Sequence, residues 1–353
     1  MASNSKIEWT EQTWNPIVGC SIVSPGCTNC YAMAMAARID KMTMSSHYEG
    51  LTKKVNGKSV WTGKLAIAND HIFLAPLRRR KPTIYFVNSM GDLFHEGAPD
   101  EWIDQVFAVM ALTPWHTYQV LTKRAERMRS YALSAFERLA TSEAPFMHPA
   151  GKTTICKLFD WSVFRMPLPN VWLGVSAERQ QEADERIPHL LQTPAAVRFI
   201  SAEPLLGPID LQPYLDLCHA ARDGDCYATS CPQLRDKEPE RSGRHCPLDD
   251  WDKVGEGETP RRLDWIIVGG ESGPGARRFE IEWAQSIVDQ CKAASIPCFV
   301  KQLGSKPFFG GYAMPMKNRK GGDPSEWMDG VNVRQMPGHF PLTPETGECA
   351  PTR

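Results

Sequence analysis

No stretch of this sequence approaches the ~18–20 apolar residues that a membrane-crossing helix needs. The opening residues, MASNSKIEWTEQTW, carry acids where a signal peptide would carry an apolar core. Neither sign of charge dominates, with 40 Lys and Arg against 41 Asp and Glu and a formal net charge of -1. The totals therefore describe neither a polybasic nucleic-acid binder nor an acidic tail. Internal repeats and long low-complexity tracts are also missing. These absences lead to the expectation of a soluble, cytoplasmic protein with no membrane partner. In that reducing setting the 11 cysteines do not read as a disulfide framework, and clustered ones read as metal or redox chemistry.

The chain has 353 residues, 42% of them hydrophobic, enough to bury a large core. Short β-rich apolar runs at 15–19, 83–88, 117–121, 171–175, 197–200, 264–268 and 298–301 each end in a small or polar cluster. Helical patterns fit at 31–42, 101–112, 125–139, 179–191 and 281–294. This alternation predicts a parallel sheet covered by helices, as a partial or full (β/α) barrel, with a doubly wound open sheet as the competing architecture. In both, function sits at the carboxyl ends of the strands. Those ends carry CSIVSPGCTNC, SMGD, TKR, SAE, SAEP and GGESG. One polar turn would be ordinary, but six in register point to a site lined from several strands. The densest basic run, Arg78-Arg79-Arg80-Lys81, reads as a solvated loop before a strand.

Cys20, Cys27 and Cys30 form C-x6-C-x2-C in a Pro- and Gly-rich loop that opens into the 31–42 helix. Three close thiolates suit a soft metal or an iron–sulfur cluster. A structural zinc would want a fourth ligand, and His47, the nearest candidate, lies beyond the helix. A [4Fe–4S] cluster held by three cysteines leaves one iron open. The helix N-terminus adds a favourable field for a net-negative group.

The segments TWNPIVGC, SPGCTNCYA, SMGDLFHE, LTKR, GVSAE, ISAEPLLG and WIIVGGESGPGAR together resemble a phage- and bacteria-associated three-cysteine domain family of unknown function, a divergent branch of the radical S-adenosylmethionine (SAM) superfamily. The likeness covers most of the chain. It implies a TIM-barrel-like fold, a [4Fe–4S] cluster on Cys20, Cys27 and Cys30, SAM as cosubstrate, and an electron donor such as a flavodoxin or ferredoxin. It implies reductive SAM cleavage that starts radical chemistry on an unknown substrate. A loose similarity to spore photoproduct lyase suggests a nucleobase or nucleic acid. By the same resemblance Ser89, Gly91 and Asp92 match the turn that meets the amino group of SAM's methionine. The usual superfamily loop is C-x3-C-x2-C with an aromatic just before the last cysteine. Here the first spacer is longer, and Tyr31 follows the last cysteine.

Lys123 and Arg124 suit the methionine carboxylate, Arg by two parallel bonds. Ser176, Glu178, Ser201 and Glu203 suit ribose hydroxyls or substrate, or else hydrogen bonding around the barrel mouth. Gly269, Gly270 and Glu271 belong to GGESG, which permits close backbone approach without the full GxGxxG pattern. Trp14, Tyr31, Phe94 and Trp172 are candidates to stack on adenine, or simply core.

The expected organisation is a first barrel part at 1–216, a cysteine-rich insert at 217–262, a last barrel part at 263–304 and an irregular extension at 305–353. Cys218, Cys226, Cys231 and Cys246 in the insert suggest a second metal site, zinc or Fe–S. The rival to the enzyme reading is a non-catalytic Fe–S or zinc protein that binds nucleic acid or a protein partner.

Overall fold

The computed structural model describes residues 5, 7–42, 46–141, 167–215 and 262–338. The insert cysteines Cys218, Cys226, Cys231 and Cys246 lie outside the described residues. In chain order the elements are β1 (Gln12–Trp14), β2 (Ile17–Val18), α1 (Tyr31–Lys41), β3 (Thr52–Val55), β4 (Lys58–Trp61), β5 (Ala66–Ile67), α2 (Asp70–Phe73), α3 (Ala75–Arg78), β6 (Ile84–Val87) and α4 (Asp100–Ala111). They continue as β7 (Thr117–Thr122), α5 (Ala125–Thr141), β8 (Val171–Ser176), α6 (Gln180–Leu191), β9 (Val197–Ala202), α7 (Gln212–Leu215), β10 (Trp265–Gly269), β11 (Phe279–Glu280), α8 (Ile281–Ala293), β12 (Cys298–Gln302), β13 (Pro307–Phe309) and β14 (Tyr312–Ala313).

The main sheet has seven strands in the order β1-β6-β7-β8-β9-β10-β12, and every pairing is parallel. The order never reverses. A doubly wound sheet reverses at its switch point, so the architecture is a partial (β/α) barrel, a curled half-barrel.

The curl follows from where the side chains go. Successive residues in a strand face opposite sides. Tyr85, Val87, Val171, Leu173, Ile266, Val268, Cys298 and Val300 point outward into the core shared with the helices. Phe86, Trp172, Val197, Phe199, Trp265, Ile267 and Phe299 point inward and pack with Trp9. Phe86 and Trp265 sit four strand steps apart, about 19 Å in a flat sheet. Yet the Trp9 ring lies 4.8 Å from Phe86 and 6.3 Å from Trp265. The sheet curls around this aromatic plug, and burying each such ring contributes about 2–3 kcal/mol.

The first strand differs from expectation. The ladder uses Gln12–Trp14, while Ile17 and Val18 leave the sheet to pair antiparallel with β5. Pro16 between them has no N–H to donate, so the strand cannot run on through 15–19. The region after Gly304 is also more regular than expected, because β13 and β14 form a small sheet with β11.

Candidate functional site

The same alternation that builds the aromatic plug builds the site above it. Two residues beyond Phe86 comes Asn88, beyond Leu121 Lys123, beyond Gly174 Ser176, beyond Phe199 Ser201, and beyond Phe299 Lys301. All five upper residues line one cavity of about 290 Å³ at the carboxyl ends of the strands, and Phe86 and Leu121 lie in its floor. That volume is at the lower end of small-ligand sites. Cys20, Cys27 and Cys30 line the same cavity, and all three are free thiols.

The cysteine loop is pinned from three directions. On the first side, Arg124 donates from Nη2 to Ser21 Oγ at 2.7 Å and places Nη1 3.7 Å from Cys20 Sγ. Gly97 N–H donates to His95 Nδ1 at 3.0 Å, so the neutral ring carries its proton on Nε2, which meets Ser21 Oγ at 3.0 Å. Burial, reinforced by Arg124, holds the His95 pKa below its ordinary value.

On the second side stands Glu178, whose side chain has no solvent exposure. Its carboxylate accepts from Ser24 Oγ at 2.8 Å and Arg186 Nη1 at 3.0 Å, and it pairs with Lys123. Burial alone would raise its pKa, but Lys123 and Arg186 outweigh that and hold it below the ordinary carboxylate value. Gly26 packs flat against this carboxylate, and a Cβ there would overlap it.

On the third side, Glu271 accepts from Arg277 Nη2 at 2.8 Å and from Asn29 Nδ2 at 3.1 Å. Arg277 also donates from Nη1 to Pro25 O at 2.9 Å. Burial opposes the charge on Glu271, and Arg277 overcomes it, leaving the pKa lowered.

The residues singled out in the sequence separate into two groups. Ser89, Gly91, Asp92, Lys123, Arg124, Ser176, Ser201, Glu203, Gly270 and Glu271 all line the cavity with the three cysteines. Glu178 and Gly269 sit behind the wall. Gly269 closes β10 against the Glu203 side chain. Asp92 accepts from Thr122 Oγ1 at 2.7 Å, Phe94 N at 3.0 Å, Lys123 N at 3.1 Å and Arg124 Nη1 at 3.0 Å. These four donors fill the lone pairs of a carboxylate, so Asp92 positions Lys123 and Arg124. Gly91 is required by close approach: a Cβ would meet Gly19 O at 2.9 Å. Of the aromatic candidates, Trp14, Phe94 and Trp172 are core, while Tyr31 is 56% exposed and lines the cavity.

Sequence reasoning missed Lys301, Arg186 and Arg277. Lys301 pairs with Glu203 at 3.1 Å, and Ser201 Oγ donates to the other oxygen of that carboxylate at 3.1 Å. The signal for Lys301 was the strand parity of CFVKQ, which puts it on the face of Phe299.

Burial pushes the Cys20 thiol up to about 12, Asp92 adding to the effect, and pushes Cys30 up as well. An electropositive centre among these sulfurs would reverse that. Among the described residues no group of three or more His, Cys, Asp and Glu is placed to hold a metal ion. Three thiols line one cavity, with Arg124 Nη1 3.7 Å from Cys20 Sγ, and supply soft donors of the kind an iron–sulfur cluster takes.

A family profile described as a protein of unknown function (DUF5131) matches residues 4–337, and the chain belongs to that family. No curated protein and no solved structure matches it.

Proposed function

We propose that this chain is a radical SAM-type enzyme whose Cys20, Cys27 and Cys30 hold a [4Fe–4S] cluster at the mouth of the half-barrel. The observation that supports this most is the meeting of three free cysteines and five strand-end polar side chains in one cavity. When bound, a three-cysteine cluster supplies an open iron for SAM and the electron that cleaves it to methionine and a 5′-deoxyadenosyl radical.

The chain's own residues then have separable roles. Lys123, 19% exposed at its side chain, offers a cation to the methionine carboxylate. Glu203, tied to Lys301 on one oxygen and Ser201 on the other, faces the cavity as an acceptor for ribose hydroxyls or the methionine ammonium. Tyr31 and Gly270 shape the rim, and the aromatic floor excludes water from below. Glu178, Glu271 and Arg277 touch no ligand in this reading. They hold the loop that carries the three cysteines.

The test is anaerobic reconstitution with iron and sulfide, reduction, and addition of SAM. Formation of 5′-deoxyadenosine and methionine supports the enzyme. A loaded cluster with no cleavage contradicts it and favours a non-catalytic Fe–S protein.

A further inference from the structure

The near-neutral total conceals an uneven distribution around the cavity mouth. One wall of the mouth is built by Tyr31, at the start of α1, and Trp61, at the end of β4. From there the β3–β4 hairpin reaches outward, with Thr52 opposite Trp61 and Val55 opposite Lys58. Its turn, Asn56-Gly57, has φ of 47° and 78°, which suits the two-residue hairpin loop. Lys53, Lys54 and Lys58 on this arm are exposed, as is Arg38 on the outer side of α1. Across 31–64 there are six basic residues and two acidic ones, Asp40 and Glu49.

Glu271 and Ser272 line another part of the cavity. Ser305 binds here, donating its N–H to Glu271 O at 2.8 Å and its hydroxyl to Arg319 O at 2.7 Å. The segment 305–322 rooted at this point carries Lys306, Lys317, Arg319 and Lys320, all exposed, and no acid. Two carboxylates touch its backbone: Glu282 accepts from the N–H of Gly310, and Glu326 from those of Lys317 and Asn318. Among the described residues none of these basic side chains on either segment pairs with a carboxylate. Each lobe also exposes a tyrosine, Tyr31 at 56% and Tyr312 at 79%. Basic groups inside the cavity are instead neutralised by Glu178, Asp92 and Glu203.

Unpaired cations on two segments, each rooted at a cavity-lining residue and each carrying an exposed aromatic ring nearby, match a strand of phosphates carrying stackable bases. We infer that the mouth is a single-stranded nucleic-acid binding surface: the β3–β4 arm and the 305–322 lobe take backbone phosphates, and Tyr31 stacks a base at the cavity rim. This names the substrate class of the proposed enzyme. It rests on that reading only for the chemistry, because binding is measured without SAM.

The probe is a fluorescein-labelled, mixed-sequence single-stranded DNA 15-mer, followed by fluorescence anisotropy on the full chain at 50 to 200 mM salt. About five or six neutralised phosphates give an expected log–log salt slope of about −4, at about 0.7 per contact. The variants K53E/K54E/K58E and K317E/R319E/K320E should each weaken binding tenfold or more and flatten the slope by about 2. Tyr31→Ala should weaken it about tenfold at unchanged slope, since stacking is not ionic. Circular dichroism on each variant checks folding. Absence of salt-dependent binding by folded wild type, or wild-type affinity in both triple variants, overturns the inference. So does an acidic electron-transfer protein cross-linking to Lys53–Lys58 while the 15-mer fails to bind, which would make the face a protein dock. DNA binding without SAM cleavage would sink the enzyme reading alone, and SAM cleavage without DNA binding would sink this one alone.

Discussion

Two sets of cysteines in this fold have the same chemistry and opposite surroundings. Cys291, on α8, and Cys298, opening β12, are each 1% exposed and belong to the apolar core. The Cys298 thiol is pushed well above its ordinary value by its hydrogen bond to Cys291 and by burial. Nothing ionic meets either sulfur among the described contacts. Cys20, Cys27 and Cys30 instead stand in a loop on which three ion-pair networks converge, beside a cavity. A buried thiol needs no such framework. Arg124, Glu178 and Arg277 fix the conformation of the loop, whereas Cys291 and Cys298 are held by packing.

The proposed cluster predicts that the two sets differ most in iron content. Replacing Cys20, Cys27 and Cys30 together with Ala should reduce iron after anaerobic reconstitution from about four atoms per chain to near zero. The C291A/C298A pair should keep the full iron content. Equal iron in both variants would erase the distinction.

A smaller effect should appear at the brace. Glu178→Ala leaves Lys123 and Arg186 facing each other without their shared carboxylate. Breaking a buried pair in this way costs about 3–5 kcal/mol, measurable by urea denaturation. If stability were unchanged while cluster loading fell, Glu178 would act on the site alone.

The same carboxylate sharpens the comparison with pH. Its folded pKa lies below its unfolded value of about 4.3. Its contribution is therefore fully present above pH ~4.3 and is lost as pH falls through the folded value, where the unfolded state binds the proton first. Glu178→Gln should flatten the acid limb of the stability curve. Cys298→Ala should leave that limb alone, because its thiol, raised well above its ordinary value, stays protonated throughout. The smallest effect is Cys298→Ala by itself, about 1–2 kcal/mol from lost core packing with no change in iron.

The sheet strands from β6 to β12 were legible because each apolar run ends in a polar cluster, and that boundary is where the barrel mouth lies. The strand-end residues of the site followed from the same pattern. The first strand was not, since Ile17 and Val18 are the more apolar run and the edge ladder uses Gln12–Trp14 instead. The β3–β4 hairpin went unread in the sequence, although Asn56-Gly57 is a strong hairpin signal. The braces were hidden for a different reason. Arg277 reaches Pro25 across 252 residues, and Lys301 reaches Glu203 from a distant strand. No local periodicity encodes a partner that only the curl of the sheet brings near. Conversely, Asp92 looks like a ligand contact in the sequence and proves to be saturated by four protein donors.

The most direct measurement is Mössbauer spectroscopy of anaerobically reconstituted, 57Fe-loaded full-length protein, with and without SAM. A three-cysteine [4Fe–4S] cluster predicts a cubane signal in which one iron of about four changes its parameters when SAM is added, while the others do not. No cubane in the wild type, or a cubane signal that persists undiminished when Cys20, Cys27 and Cys30 are all replaced, would contradict the account.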